Sequence, residues 1–298
     1  MGIGVAHEDG AYFGFDVYVY KLLLHESIPD EFAKMRAKGN QIVVDVDDFH
    51  FGISEENIAA RITSPLHSPD NNRMWHEISM RLADRLIVST DFLANHYQRR
   101  CRDVRVVRNA LDTQRYTPVE QPAVPVIGWV GGTLWRSGDI ETLKTWLPRF
   151  VDDFDLRVHH SGHIPCDPNH FAVRAGLRRV STTGNVNMID YPSLLSGFHI
   201  GLVPLVPSPF NEAKSYLKGL EYAAAGIPFI ASPTEEYRML HAAGIGRLAS
   251  TPDEWRDHAT ELLDHEVRVQ EAERQLKIVR DVFDINKMGR RWATALLG

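Results

Sequence analysis

Cysteine is nearly absent from this sequence of 298 residues, which contains only Cys101 and Cys166. Two cysteines cannot build a disulfide framework, so the class of small disulfide-stapled secreted proteins is excluded and a reducing compartment is favoured. Any apolar run long enough to cross a bilayer is also missing. The opening residues (MGIGVAHEDG) lack the basic start and apolar stretch of a signal peptide. We therefore expect a cytoplasmic protein without a transmembrane segment.

An excess of positive charge is missing as well. The 33 lysines and arginines are outnumbered by 39 aspartates and glutamates, and the net charge is -6. General affinity for nucleic acid needs a basic surface, so the composition does not support a nucleic-acid-binding class. A local run of arginines between residues 99 and 108 is interpreted as a solvated helix end and strand flank.

Short runs rich in valine and isoleucine alternate with amphipathic stretches along the chain. We predict strands at residues 16–22, 41–48, 86–90, 104–109, 126–130, 156–160, 179–182, 200–204, 228–232 and 246–248. Helices are predicted at residues 29–38, 71–85, 91–100, 139–150, 191–196, 214–225, 235–243 and 252–264, and over most of 266–297 with a break near 284–286. This order is typical of α/β proteins whose parallel sheets are covered on both faces.

Residues 117–125 (TPVEQPAVP) contain three prolines and no helical or strand period, which indicates a linker between two domains. The predicted division is residues 1–116 for an N-terminal doubly wound domain, 126–284 for a C-terminal one and 285–298 for a last helix. Two such domains place a ligand cleft between the carboxyl ends of their sheets. The architecture alone selects no chemistry.

The segment richest in chemistry is residues 204–232 (PLVPSPFNEAKSYLKGLEYAAAGIPFIAS), where a strand, a polar loop and a helix follow one another. A helix that begins near Lys214 would offer its unpaired first amides to a phosphate, together with the Lys214 ammonium and the Ser215 hydroxyl. Lys218 lies one turn later on the same face, and Glu221 falls near that face again. A carboxylate there can accept both hydroxyls of a ribose, so the pattern predicts a site for a nucleoside diphosphate.

This segment resembles the donor-site motif of retaining glycosyltransferases with the GT-B architecture, near glycosyltransferase family four. The pattern of the relevant branch is F-N-x-x-K-S-x-x-K-x-L-E-Y, followed by small residues, G-x-P and a strand that ends in A-S. The matching residues here are Phe210, Asn211, Lys214, Ser215, Lys218, Leu220, Glu221, Tyr222, Gly226, Pro228, Ala231 and Ser232.

The resemblance covers nearly all of residues 41–298 and implies an α/β GT-B fold. In that fold two Rossmann-like, doubly wound domains face each other across a cleft, and the last helix, here residues 285–298, crosses back to the first domain. The first predicted strand comes as early as residues 16–22. We therefore expect a reduced N-terminal domain.

One position departs from the family pattern. Family four enzymes commonly carry two glutamates, the first near the transferred sugar and the second on the ribose. Glu221 fits the second, whereas the first would fall at Ala213, and Glu212 is one residue out of register. The resemblance therefore implies that Glu221 binds the ribose and that the sugar lacks its usual carboxylate.

Residues 127–139 (IGWVGGTLWRSGD) form a second part of the predicted donor site, in which a strand runs into two glycines and a polar loop. Gly131 and Gly132 let the backbone approach a ligand closely, although the same pair also fits a plain strand-to-helix turn. The segment is similar to the family's I-G-W-V-G start of the C-terminal domain, whose loop contacts the donor diphosphate. Arg136 is the best candidate for a bidentate contact with phosphate oxygens.

Carboxylates are clustered in residues 45–48 (DVDD), at the end of a predicted strand. A D-x-D metal site is one interpretation, but a hard cation needs further oxygen ligands that are not evident. The segment resembles instead the Y-D-x-D-D stretch of the same GT-B branch, which faces the cleft. We predict Asp47 and Asp48 as acceptor-facing or base-like carboxylates, with His50 beside them, and these residues are the predicted catalytic group.

A group of imidazoles and a thiol between residues 159 and 170 suggests zinc only by its composition. The group consists of His159, His160, His163, Cys166 and His170. Its spacing fits no structural zinc site, so we predict no metal there and no cofactor elsewhere. His163, which follows Gly162, stays open as a donor contact.

The predicted function is a metal-independent, retaining transfer of a sugar from a UDP- or GDP-sugar to an acceptor hydroxyl. The acceptor is a glycan, a protein, a lipid or a modified nucleic-acid base, and the sequence does not choose among them. Two alternatives stay open. One is an epimerase that acts on a nucleotide sugar with the same fold, and the other is a non-catalytic module that only binds a nucleotide sugar.

Overall fold

The structure is a computed structural model that describes residues 15–21, 26–57, 60, 72–118, 122–133, 136, 138–162 and 169–298. The predicted start of the N-terminal domain, before residue 15, lies outside these described residues. The chain divides into two compact units. The first comprises the described part of residues 1–108 together with Gly289–Gly298, and the second comprises Asn109–Met288.

A parallel four-stranded sheet with the order β1-β2-β3-β4 forms the centre of the first unit. The strands are β1 (Val17–Lys21), β2 (Gln41–Val46), β3 (Arg85–Val88) and β4 (Val104–Val106). Helices Ile28–Ala37, Asn72–Leu82 and Asp91–Tyr97 and the 3₁₀ helix His50–Gly52 lie in the connections. All of β3 and most of β2 are buried, which explains why both segments are almost continuously apolar instead of alternating.

The last helix, Ile285–Leu297, packs its carboxyl end on this first sheet. The apolar residues of this contact are Ala295, Trp292 and Leu296 on the helix, Val43 and Ile87 on the sheet, and Val107 directly after β4. The buried Arg85 donates hydrogen bonds to the carbonyl of Ala295 at 2.7 Å and to that of Leu296 at 3.0 Å. Because the last carbonyls of a helix have no partners within the helix, this guanidinium stabilises the helix end.

The second unit contains a parallel six-stranded sheet with the order β10-β9-β8-β5-β6-β7. Its strands are β5 (Val126–Val130), β6 (Arg157–Ser161), β7 (Ser181–Thr183), β8 (Ile200–Val203), β9 (Phe229–Ala231) and β10 (Arg247–Leu248). After β5 the chain adds β6 and β7 on one side of that strand, and it then crosses back to add β8, β9 and β10 on the other side. The strand order therefore reverses between β5 and β8, and ligands of doubly wound sheets bind at the carboxyl ends of the strands at such a reversal.

Helices cover both faces of the second sheet. The α-helices are Leu147–Asp153, His170–Ala175, Pro209–Glu212, Leu217–Ala224, Glu235–Ala242, Pro252–Leu263 and His265–Val282, and the 3₁₀ helices are Thr113–Arg115, Glu141–Thr145 and Tyr191–Leu195. On β5, Val126 and Val130 belong to one hydrophobic cluster, whereas Ile127 and Trp129 belong to the other. Successive side chains of a strand point to opposite faces, so β5 contributes to both cores of this unit.

All ten predicted strands are present, with ends that differ by at most three residues. The prediction for β2 was wrong at its end. β2 stops at Val46, so Asp47 and Asp48 follow the strand instead of alternating along it. The break in the long C-terminal helical stretch is confirmed, since one helix ends at Val282 and the next begins at Ile285.

Three predicted helices differ from the structure. The helix predicted from residue 214 begins only at Leu217, because the chain first forms the short helix Pro209–Glu212 and a turn at Ala213. The helix predicted at 139–150 is a 3₁₀ helix followed by Leu147–Asp153, which has a proline near its start. The helix predicted at 191–196 is a 3₁₀ helix as well.

Candidate functional site

The turn that follows β5 is held by hydrogen bonds on both sides of Gly131. The Gly131 amide donates to the carbonyl of Ser161 at 2.8 Å, and Nε2 of the buried His160 donates to the Gly131 carbonyl at 2.9 Å. Gly131 has φ of 147°. A Cβ on Gly162 would lie 2.8 Å from the Gly131 carbonyl oxygen, so both positions need glycine for the two strand ends to approach each other. Gly132 continues this turn, while parts of the loop beyond it lie outside the described residues.

Lys214 and Ser215 precede the helix Leu217–Ala224 and do not form its first turn as we predicted. The ammonium of Lys214 lies 4.0 Å from the centre of the Phe210 ring. The Ser215 hydroxyl accepts a hydrogen bond from the Asn109 side-chain amide at 2.8 Å. Both residues are half-buried in the segment that leads into the helix. A ligand at the helix N-terminus would therefore meet them from outside the helix.

Lys218 connects the helix to the glycine turn. Its ammonium donates to the carbonyl of Val130, the last residue of β5, and lies 3.5 Å from the position of a Cβ on Gly131. Burial and the neighbouring Arg136 and Lys214 cations together lower the pKa of Lys218 to about 7, and the Glu221 carboxylate opposes this shift. The structure thus brings together two predicted elements, residues 127–139 and 204–232, at the lysine.

Glu221 lies one turn after Lys218 and is 9% exposed. The hydroxyl of Tyr191 donates a hydrogen bond to Oε2 of Glu221 at 3.0 Å. Burial raises the pKa of Glu221, while the Lys218 ammonium and the Tyr191 hydroxyl lower it. The carboxyl group predicted for the ribose is therefore hydrogen-bonded by Tyr191, which the sequence did not indicate, and is influenced electrostatically by the Lys218 ammonium.

Asn211 and Asp139 form a buried polar pair beside the helix start. The Asn211 side-chain amide donates to Asp139 Oδ1 at 2.7 Å and to the Val206 carbonyl at 3.0 Å, and Asp139 Oδ1 also accepts the Val206 amide at 2.9 Å. Both hydrogens of the Asn211 amide are thus engaged within the protein. Asp139 was predicted near a helix start, and instead it joins the segment after β8 to the loop after β5. The resemblance to the family pattern implies a contact of Asn211 with the donor, and this contact stays a prediction.

Arg136 is the residue predicted to make a bidentate contact with phosphate oxygens, and its guanidinium lies 3.9 Å from Asp139 Oδ2. Its backbone is held by Arg174, which donates to the carbonyls of Thr133 and Arg136 and forms a bidentate ion pair with Glu141 at 2.6 and 2.8 Å. His170 adds a hydrogen bond to the Thr133 hydroxyl at 2.9 Å. The helix His170–Ala175 therefore anchors the described ends of the loop that carries Arg136.

Asp47, Asp48 and His50, the predicted catalytic group, line a cavity of about 210 Å³ in the first unit. The other lining residues are Lys21, Val44, Asp45, Val46, His76 and Met80. Asp45 forms an ion pair with Lys21 at 3.6 Å, although burial raises its pKa. His76 is 1% exposed, and burial lowers its pKa to about 3, so its imidazole is neutral. The structure thus brings the three predicted residues together at the carboxyl end of β2.

Comparison with known proteins gives no match to any family model or curated protein, but it gives many matches to solved structures. HepE of Anabaena, in complex with UDP and glucose, matches with a TM-score of 0.69 and 15% identity over 95% of this chain and 77% of HepE. TarM matches with a TM-score of 0.66 and 11% identity over 95% of this chain, which spans 55% of TarM. WaaG, a glycosyltransferase involved in lipopolysaccharide biosynthesis, matches with a TM-score of 0.59 and 14% identity over 89% of this chain and 80% of WaaG.

The chain has the GT-B fold. Identities of 11–15% establish the fold and nothing finer. Each of its two units has the Rossmann-like parallel sheet of GT-B proteins, and the predicted α/β class is confirmed. The first sheet of this GT-B chain has four described strands and the second has six.

The histidine group of this GT-B chain is divided among several contacts. His159 contacts the hydroxyls of Ser181 at 2.7 Å and Thr183 at 3.0 Å, while His160 and His170 hold the turn and loop after β5. His163 and Cys166 lie outside the described residues. Within the described ranges, no group of three or more histidine, cysteine, aspartate or glutamate residues could hold a metal ion. Among the helices that the structure describes, none combines the length and apolar character needed to cross a bilayer.

Sequence reasoning missed three residues that shape this GT-B site: Tyr191, Asp139 in its observed role, and Arg174. Each acts on a partner far away in the chain, 30 residues for Tyr191 and Glu221, and 72 for Asp139 and Asn211. No local period or motif marks such pairs in a single sequence. For Tyr191 the sequence offers one hint. The segment that begins with this tyrosine leads directly into β8, one of the two strands at the reversal where ligands of such sheets bind.

Proposed function

We propose that this chain is a glycosyltransferase that transfers a sugar from a UDP- or GDP-sugar to an acceptor hydroxyl. One observation carries the proposal: Lys218 and Glu221 lie one turn apart on the helix Leu217–Ala224, and the lysine contacts the end of β5 at the strand reversal. A cation and a carboxylate at that distance suit the diphosphate and the ribose of one nucleotide. The fold shared with HepE, whose structure holds UDP and glucose, supports the same class of donor.

The diphosphate is assigned to the cations around the glycine turn. Arg136 and Lys214 lie close enough to Lys218 to act on it electrostatically, and the three cations supply positive potential. Ser215 and the amide of Gly132 complete the group, while Gly131, whose amide is bonded to Ser161, shapes the turn. Charge grows on the leaving diphosphate as the glycosidic bond breaks, so these cations stabilise the transition state more than the bound donor. We propose that they do so without a metal ion.

The ribose is assigned to Glu221. A carboxylate has two oxygens that can accept the two ribose hydroxyls, and burial strengthens such hydrogen bonds by excluding water. The buried position of Glu221 and the neighbouring Lys218 favour this role.

The acceptor is assigned to the cavity of the first unit. Asp47, Asp48 and His50 line it together, and a carboxylate or a neutral imidazole there can hold an acceptor hydroxyl and take up its proton. We propose a retaining transfer in which the acceptor hydroxyl attacks on the face of the leaving group. Ala213, which stands where a glutamate is common in the resembling family, gives the sugar no carboxylate from that position.

The proposal is tested by release of free nucleotide from a panel of UDP- and GDP-sugars with acceptor extracts. Glu221→Ala should reduce turnover by roughly 100-fold or more, because the donor loses charge-assisted hydrogen bonds that hold it in place. Glu273→Ala, which removes an exposed glutamate of the helix His265–Val282, is the matched control and should leave turnover unchanged.

Full turnover by the Glu221→Ala variant would overturn the assignment of the ribose. Conversion of the donor sugar without any acceptor would favour the epimerase. Tight nucleotide binding without transfer to any acceptor would favour the non-catalytic binding module.

A further inference from the structure

Tyr191 and Glu221 form a buried contact that joins two separate elements of the second unit. Tyr191 begins the 3₁₀ helix Tyr191–Leu195, and Glu221 lies in the middle of the helix Leu217–Ala224. The tyrosine hydroxyl donates to Oε2 of the carboxyl group at 3.0 Å. Tyr191 is half-buried and Glu221 is 9% exposed, so water does not easily replace this hydrogen bond.

The contact restricts the orientation of the carboxyl group. A glutamate side chain has three rotatable bonds, and its terminal torsion is broad, so an unrestrained carboxyl group samples many orientations. With Oε2 held by the hydroxyl, the carboxyl group samples fewer orientations relative to the helix. Oε1 and the second lone pair of Oε2 then remain available to a ligand.

We propose that Tyr191 is a positioning residue for the ribose, whose hydroxyl orients the Glu221 carboxylate so that it accepts both ribose hydroxyls at once. The inference rests on the proposed function, because it assumes a nucleotide at Glu221. Tyr191 itself touches no reacting atom. Its contribution is to remove, before the ligand arrives, freedom that the carboxylate would otherwise lose on binding.

The charge environment of Glu221 gives the hydroxyl a second effect. The titratable side chains that interact with this carboxyl group are Lys218 and Tyr222 on its own helix and Tyr116, Tyr191 and Tyr237 from other elements. Burial raises the pKa of all four tyrosines, so they stay neutral and Lys218 is the one cation in this group. The Tyr191 hydrogen bond lowers the pKa of Glu221 and thereby favours the carboxylate that a ribose requires.

The test compares nucleotides with and without a 2′-hydroxyl. Calorimetric dissociation constants are measured for UDP, GDP and their 2′-deoxy counterparts with the wild-type protein and with Tyr191→Phe. The wild type should prefer the ribonucleotide by roughly 10- to 100-fold, the size of one hydrogen bond to a charged acceptor. Tyr191→Phe should reduce this preference to roughly threefold or less by weakening ribonucleotide binding, with little change for the deoxynucleotide.

The ratio separates positioning from mere structural support. If the tyrosine only supported the fold, loss of its hydroxyl would weaken the binding of both nucleotides equally and leave the ratio of their dissociation constants unchanged. An unchanged ratio would overturn the proposal. Tyr97→Phe, a buried tyrosine of the first unit, is the control for loss of a hydroxyl and should leave the ratio as in the wild type. In a Glu221→Gln background, Tyr191→Phe should have no further effect on the ratio, since the oriented carboxylate is already gone.

A pH titration supplies a second readout. Affinity for the ribonucleotide falls at acidic pH as Glu221 is protonated, and in Tyr191→Phe this fall should begin at a higher pH, because the hydroxyl that lowers the pKa of Glu221 is absent. If the affinity of both proteins for the ribonucleotide falls over the same acidic pH range, the proposal is contradicted.

The outcomes distinguish this inference from the proposed function. If the wild type binds none of the four nucleotides, the proposed function fails. If the wild type binds them without preferring the ribose, the assignment of the ribose to Glu221 fails together with the role of Tyr191. If the wild type prefers the ribose and Tyr191→Phe keeps that preference, the proposed function stands and the role of Tyr191 is refuted.

Discussion

Lys218 and Glu221 each counteract the pKa shift that burial causes in the other. Burial lowers the pKa of the lysine and raises that of the glutamate, and each charged group favours the charged form of the other. The Arg136 and Lys214 cations disfavour the protonated form of Lys218, and with burial they keep its pKa at about 7. A nucleotide diphosphate would add negative charge beside this ammonium and restore its protonated form.

Affinity for nucleoside diphosphates should therefore depend on pH through Lys218. Below about pH 7 the lysine is already charged. Above it, the free protein must take up a proton on binding, and apparent affinity should fall by up to about tenfold per pH unit until the pKa of the bound state is reached. Calorimetric titration with UDP or GDP from about pH 6 to about pH 9 measures the slope.

Lys218→Arg is the matched control, because arginine stays charged over this range. Phosphate ionisation affects both proteins alike, so the difference between the two pH profiles belongs to the lysine. Superimposable profiles would refute a role for Lys218 as a titrating phosphate ligand.

At the scale of elements, the ends of β5 and β6 approach each other through glycine. Gly162 has φ of 124°, in the region that favours glycine, and a Cβ there would press on the Gly131 backbone. This close approach fixes the turn that Lys218 contacts. A substitution at Gly162 should therefore affect the proposed nucleotide site without altering any side chain assigned to the ligand.

We expect Gly162→Ala to destabilise the second unit by about 1–3 kcal/mol and to weaken nucleotide binding, because the backbone must move away from Gly131. Gly289→Ala is the control. Nothing lies within 4 Å of a Cβ at Gly289, which sits inside the helix Ile285–Leu297, so alanine there should stabilise slightly. Thermal unfolding and calorimetry measure both effects, and equal stability of the two variants would contradict the close approach.

At the scale of the whole molecule, the chain returns to its first unit at the end. Gly289–Gly298 belong with the described part of residues 1–108, and the intervening Asn109–Met288 form the second unit. The carboxyl end of the last helix covers Val43 and Ile87 of the first sheet. Stability of the first unit therefore depends on residues that follow the second unit in the chain.

Two aspartate substitutions on this helix should separate burial from charge. Ala295 is 4% exposed against the first sheet, whereas Ala293 is exposed. We expect Ala295→Asp to destabilise the first unit by about 2–4 kcal/mol, because an unpaired carboxylate enters an apolar contact. Ala293→Asp should change stability by about 0.5 kcal/mol or less.

Hydrogen exchange of β2 and β3 reports on the first unit in both variants. Exchange should accelerate in Ala295→Asp alone, and nucleotide affinity should stay as in the wild type in both proteins. An equal acceleration in the two variants would mean that charge on the helix, and not its buried face, controls the stability of the first unit.

Local patterns in the sequence were sufficient for the strands, the α/β class and the spacing of the residues that we propose for the donor. A buried parallel strand is marked by its own run of valine and isoleucine, and β5 (VIGWV) needs no distant partner to be recognised. The same holds for Lys218 and Glu221, whose spacing on one helix follows from the helical period alone.

Only the tertiary structure decided what these residues contact. The hydroxyl of Tyr191 on Glu221, the Val130 carbonyl at Lys218 and the Asp139–Asn211 pair all join segments that are distant in the chain. The helix expected from residue 214 was also placed too early, because Ser208 caps a short helix of its own before the chain turns at Ala213. Periodicity depends on neighbouring residues, whereas the pKa of Lys218 and the orientation of Glu221 depend on groups that folding alone brings together.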